Sequence, residues 1–232
     1  MSIITSERVA DGTVALITMD DGKANALSKQ AIADLVAAID EAEADTAVVA
    51  AVVAGREGKF SGGFDLNVMR SGDFPAMIDL VADGGDLVRH TYMSGLPIIE
   101  ACTGHALAAG ALLLLGCDVR VGAVGDYKIG VNEVAIGMVL PDWAMTICRE
   151  RLSKRHLQRA VATARITDGP DAIDVGFLDV AVELDQVVPR AIEEAASFAN
   201  LDRPSYAKTM TQFRGDVAQT MANQIAADRA VV

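Results

Sequence analysis

Apolar and polar positions along this 232-residue chain follow first one period and then another, and each change of period marks an element. Residues 3–9 and 14–19 read as two strands around a tight turn at Asp11-Gly12, where glycine supplies the positive φ such a turn demands. After a polar connection over residues 20–27, the spacing of Ile32, Leu35, Val36 and Ile39 predicts an amphipathic helix to about Ala44, with Ser28 as its N-cap. Residues 47–54 form an unbroken valine-rich apolar run, too short for most helices and suited to a strand covered on both faces. A loop carrying Gly55, Gly58, Gly62 and Gly63 then leads to a helix over 74–92 and a strand over 97–102.

Residues 104–117 repeat that design, with a strand passing through small residues into an apolar helix whose start leaves backbone N–H groups free for a ligand. Short strands are expected over 118–121 and 127–129. Beyond Pro141 the pattern turns helical, over 142–151, 156–164 and 170–176, with a return strand over 178–182 and further helices over about 188–199 and 205–230. The prediction is an α/β core over residues 1–190 and a C-terminal helical region over 191–232, with no Gly/Ser/Pro linker between them.

Composition narrows the function. Hydrophobic residues make up 51% and charged residues 22%, which fits a packed domain and not a disordered chain. A net charge of -12 argues against a nucleic-acid surface, because phosphate binding needs clustered lysine and arginine. Cys102, Cys117 and Cys148 are odd in number and set in apolar segments, so they read as buried thiols in a reducing compartment. No metal-ligand spacing links them to His90, His105 or His156. No basic leader and no bilayer-length apolar run is apparent, so a cytoplasmic protein without membrane contact is expected.

One stretch demands a chemical explanation. Glu133 is the only charged residue between Lys128 and Asp142. Burial there would lift its pKa toward neutrality and make it an acid/base. The alternative is an exposed residue in the first turn of a short helix capped by Asn132. Asp142 likewise has two readings, the cap of the next helix or a second acid. Ser61 lacks the Gly-x-Ser-x-Gly elbow of a serine hydrolase.

Four stretches stand together in order: Lys23-Ala24-Asn25-Ala26-Leu27, Phe60-Ser61-Gly62-Gly63-Phe64-Asp65-Leu66, Gly104 to Gly110 with Cys117-Asp118, and the Glu133 segment. In these the chain resembles the crotonase, or enoyl-CoA hydratase/isomerase, superfamily over roughly residues 3–190. The resemblance implies a crotonase-like ββα spiral with a C-terminal helical trimerisation region, an acyl-CoA thioester substrate, and a homotrimer or dimer of trimers. It implies no separate cofactor, since coenzyme A belongs to the substrate. It assigns the backbone N–H groups of Phe64 and Ala109 to an oxyanion hole and puts Lys23, Ala24, Asp65 and Leu66 at the coenzyme A side. Lys23 also reads as an ordinary exposed loop lysine, and Asp65 as a residue that fixes its loop by hydrogen bonding. Phe64 stands where alanine is common in the family, so its ring is a candidate wall of the acyl pocket.

The departure from the family pattern concerns the hydratases, which use two glutamates to hold water. Here the first position is Leu112 and only Glu133 remains. The wording around Glu133, with Pro141 and Trp143 beyond it, looks most like the delta3,delta2-enoyl-CoA isomerase branch. The resemblance therefore implies a shift of a 3-enoyl-CoA double bond by one shuttling glutamate. A hydratase or thioester hydrolase using Glu133 with Asp142 is the alternative, and a catalytically idle acyl-CoA-binding scaffold is a third. Lys208 and Arg214 on the last helix read as exposed charges, with a reach to coenzyme A within a trimer as the alternative.

Overall fold

The computed structural model describes residues 2–230. It begins with the expected hairpin, β1 (Ile4–Val9) antiparallel to β2 (Val14–Met19). Helix α1 (Lys29–Ala44) follows, and Ser28 caps it by accepting the Ala31 N–H at 3.2 Å. Next come β3 (Ala50–Ala54), β4 (Gly58–Ser61), the single turn α2 (Leu66–Met69) and α3 (Phe74–Met93). The third cycle is β5 (Ile98–Cys102), β6 (Gly104–Leu107) and α4 (Ala109–Leu114), and the fourth opens with β7 (Val119–Ala123) and β8 (Ile129–Gly130). Helices α5 (Asp142–Arg151), α6 (Leu157–Ala162) and α7 (Gly169–Val175), strand β9 (Val180–Val182), and helices α8 (Val187–Ser197) and α9 (Arg203–Arg229) complete the chain.

The first cycle gives both strands to one sheet, and the second, third and fourth each give one strand to each of two sheets. The large sheet runs β1-β2-β3-β5-β7-β9, parallel after the first pair, and the small one runs β4-β6-β8, parallel throughout. This is the ββα spiral. Alternation along the strands buries both faces of the large sheet. Ala15, Ile17, Ala51 and Val53 point into the main core, whereas Val14, Leu16, Ala50 and Val52 point to a second core covered by Val187, Ala191 and Ala195 of α8. The anticipated boundary near residue 190 thus falls inside a helix that lies on the sheet.

The last helix packs on α3 and α5 of its own chain. At Gly85 of α3 the three helices crowd together: a Cβ there would lie 2.9 Å from both Ile225 Cγ1 of α9 and Trp143 Cε2 of α5. Arg214 is a correction to its reading as an exposed charge. It is buried, donating to Asp118 Oδ1 at 2.8 Å and to the Tyr92 carbonyl at 2.9 Å, with its guanidinium 4.7 Å from the Tyr92 ring centroid. Asp118 also accepts from the Ile98 N–H and the Tyr206 hydroxyl, so this carboxylate ties β5 and α9 together. Lys208 is exposed. The three cysteines are buried and free, and among the described residues no helix is long and apolar enough to cross a membrane.

Candidate active site

Two strand ends of the small sheet and the loops that leave them build the site. The Lys23 to Leu27 segment is pinned by Asn25, buried and held at φ 50°, whose Nδ2 donates to the carbonyls of Met19, Lys59 and Phe60. Ser61 Oγ donates to the Asn25 carbonyl and accepts the Gly63 N–H, so its hydroxyl is structural. The loop after β4 is clasped by Leu27, which donates to Gly63 O and accepts the Asp65 N–H. Phe64 lies between those two bonds, and its own N–H has no protein acceptor among the described residues.

The partner loop follows β6. Ala108 stands at φ 50°, ψ -125°, a conformation that costs a residue with a Cβ on the order of 1–3 kcal/mol. Its N–H donates to Gly130 O, fastening the turn to β8, and its carbonyl accepts from Ala111 and Leu112 in the first turn of α4. The strained residue turns the next N–H, that of Ala109, out of both strand and helix, and it too has no protein acceptor among the described residues. The two loops touch. A Cβ on Gly63 would lie 3.4 Å from Ala109 N, and one on Gly110 would lie 2.4 Å from the Ser61 carbonyl oxygen. Two unused donors on abutting loops can stabilise a developing negative charge.

Both loops open on a cavity of about 530 Å³, a volume ordinary for a small-molecule site. Its walls are mostly apolar. Gly62, Phe64 and Leu66 come from the first loop, Ala108 and Leu112 from the second, Phe74, Met77, Ile78 and Val81 from α3, and Trp143 from α5. Glu133 enters from the segment after β8, as the residue opening a single 3-10 turn (Val134–Ile136) closed by Gly137 at φ 78°. Its backbone carbonyl accepts from Ile136 and Met138, which holds the segment, while the residue is 7% exposed with Oε2 unpartnered. Burial raises its pKa from 4.5 to about 7, only partly opposed by its own backbone N–H. Of the two readings of Glu133, the exposed one is excluded.

The remaining sequence-derived positions divide. Leu66 lines the cavity, while Lys23 and Ala24 are exposed and outside its lining, the Ala24 carbonyl accepting the N–H of the lining residue Gly62 at 2.7 Å. Asp65 caps α2 through the Asn67 N–H, which occupies its carboxylate. Asp142 does not cap α5: Pro141 holds the cap position and Asp142 is the exposed first residue, outside the cavity lining. The carboxylate that does reach the cavity is Asp228, near the end of α9, with Oδ2 buried and unpartnered and its pKa raised by burial and by Asp142. No local pattern marks Asp228, which reaches the site only through the docking of α9. Asn132 lines the cavity too.

A family model described as enoyl-CoA hydratase/isomerase matches residues 10–232. The mitochondrial enoyl-CoA delta isomerase 1 of Rattus norvegicus is 27% identical over 224 residues, 96% of this chain and 78% of its own length. A probable enoyl-CoA hydratase of Bacillus subtilis is 30% identical over 200 residues, 82% of this chain and 74% of its own. The solved structure of a Mycobacterium tuberculosis enoyl-CoA isomerase superposes with a TM-score of 0.92 at 38% identity, covering 99% of this chain and 98% of that one.

Proposed function

The chain belongs to the enoyl-CoA hydratase/isomerase family, a crotonase-type acyl-CoA enzyme, and from that premise we propose that it shifts the double bond of a 3-enoyl-CoA to the 2-position. The observation that carries the reading is Glu133, a buried carboxylate with its pKa lifted to about 7, in a cavity where Leu112 stands at the hydratases' other glutamate position. A base poised near neutrality both takes and returns a proton.

In this reading the Glu133 carboxylate removes a proton from C2 of the 3-enoyl thioester. The electron pair of the broken C–H bond spreads through the C3–C4 double bond and onto the thioester oxygen, where the Phe64 and Ala109 N–H groups receive the charge. The protonated Glu133 then gives the same proton to C4, the electrons close a C2–C3 double bond, and the carboxylate is restored. No atom is gained or lost, and water takes no part. Lys23, Ala24 and Leu66 form the coenzyme A side of the site, where the Lys23 ammonium meets phosphate. Leu112 supports this choice over hydration, because an apolar side chain leaves water without its second anchor.

The test is turnover of medium-chain 3-enoyl-CoA and 2-enoyl-CoA by wild type and Glu133→Gln. Conversion of the 3-enoyl to the 2-enoyl compound, abolished by the substitution, is the expected result. Addition of water to the 2-enoyl compound as the main activity overturns it, and Asp228 is then the carboxylate to substitute next.

A further inference from the structure

Helix α3 presents Phe74, Met77, Ile78 and Val81 to the cavity, residues spaced to share one face. Three residues on from Val81 the stripe continues at Gly84, which is buried and carries no side chain to extend the wall. Phe64 fills that place from another element. An ideal Cβ on Gly84 would lie 2.4 Å from both Cε1 and Cζ of the Phe64 ring, far inside contact distance, so the ring tip rests on the helix backbone. Glycine is unfavourable in a helix interior relative to alanine, and Gly84 makes no turn that would require it. The adjacent Gly85 serves a different contact, the approach of Ile225 and Trp143.

We propose that Gly84 and the Phe64 ring seated on it set the acyl-chain length the cavity accepts, with Gly84 as the positioning residue. This rests on the acyl-CoA reading of the site. The Phe64 ring is part of the cavity wall, so a methyl group at position 84 drives the ring off α3 and into space that the chain would occupy. Removing the ring does the opposite and opens the wall down to Gly84. Because the Phe64 N–H is an unused donor at the same site, the residue that bounds the chain also bears on the thioester end.

The experiment is a double-mutant cycle, Gly84→Ala, Phe64→Ala and the pair, read on saturated acyl-CoA affinities and on 3-enoyl-CoA turnover from short to long chains. One methylene gained or lost in an apolar pocket is worth about tenfold or more. Gly84→Ala is expected to weaken the longest accepted chains by at least that factor while leaving the shortest unchanged. Phe64→Ala should shift the preference to longer chains, and in that background Gly84→Ala should have no length-dependent effect. A loss that is uniform across chain lengths, or one that persists without the ring, overturns the inference. If Gly84→Ala does not fold, Phe64→Leu and Phe64→Ala carry the test, and an unchanged length profile in both overturns it. The affinities separate the two ideas: a length crossover in binding without turnover keeps the wall and removes the isomerase, whereas turnover with no crossover does the reverse.

Discussion

Replacing Glu133 by glutamine should make the protein more stable at alkaline pH while destroying its activity. A carboxyl group held at about 7 in the fold against 4.5 for its ordinary value prefers the neutral form there by about 3 kcal/mol. Its folded pKa is raised, so the sign is opposite to that of an ion-paired acid. Below 4.5 the group is protonated in both states and contributes nothing. Between 4.5 and 7 the unfolded chain releases the proton and the folded chain keeps it, so stability falls as pH rises. Above 7 the full penalty of about 3 kcal/mol is present. Glutamine has no such slope. Urea unfolding of both proteins from pH 4.5 to 8.5, followed by the single tryptophan, Trp143 at the cavity, should show the difference in unfolding free energy growing by about 3 kcal/mol. With an ordinary urea slope this moves the midpoint by about 1 M or more. Slopes from other groups are common to both chains and cancel. The wild-type kcat/KM for isomerisation should rise through the same apparent pKa near 7, because the free enzyme must carry the ionised base. A difference that stays constant across that range refutes the burial argument, whatever the activity of the variant.

Three further outcomes follow from the same physics. Glu100 in β5 is fully buried with both oxygens unpartnered and its pKa raised by burial to about 8, Arg120 opposing the shift; Glu100→Gln should stabilise the fold above pH 8 by on the order of 3–5 kcal/mol in urea titrations without changing kcat. Arg214→Ala leaves Asp118 buried without its cation and should cost about 3–5 kcal/mol in the same assay. Gly110→Ala puts a methyl 2.4 Å from the Ser61 carbonyl oxygen, and prising the two loops apart should lower kcat on the order of a hundredfold; an unchanged kcat would mean that the Phe64 and Ala109 N–H groups are not used.

Elements governed by their own residues were legible in advance. Ser28 and the stripe from Ile32 to Ile39 specify α1 locally, and α5 begins and ends where its pattern does. Strand β4 was not separable from its glycine-rich loop, since four residues with one apolar side chain carry no period and the strand exists by pairing with β6 more than forty residues on. Glu133 was legible because a lone charge in an apolar run is a local anomaly. Arg214 and Asp228 were not, because α9 places them against Asp118 and the cavity, partners that no window of sequence contains. Asp142 was misjudged for a local reason: Pro141 is already extended at φ -64°, ψ 155°, and takes the cap position itself.

Several unfavourable features of this chain meet at one place. Ala108 holds a backbone conformation suited to glycine, Gly84 weakens the middle of α3, and the unpartnered buried atoms Asn132 Oδ1, Glu133 Oε2, Trp143 Nε1 and Asp228 Oδ2 all belong to residues lining the same cavity. Such a cluster of broken local rules around one cavity is the pattern expected when a site is maintained at the expense of stability. In the proposed reaction each of these features has a use: the turn at Ala108 frees a donor, the bare helix at Gly84 seats a ring, and the buried Glu133 carboxylate acquires a pKa near neutrality. Glu100 breaks the same rule away from the cavity, and its neighbours are structural, with Arg120 committed to Asp179 and to the Gly176 carbonyl. Burial alone therefore does not identify the base. What separates Glu133 from Glu100 is that Glu133 lines the cavity onto which the loops carrying the unused Phe64 and Ala109 N–H groups open, so that in the proposed reaction a proton taken on one side is matched by charge received on the other.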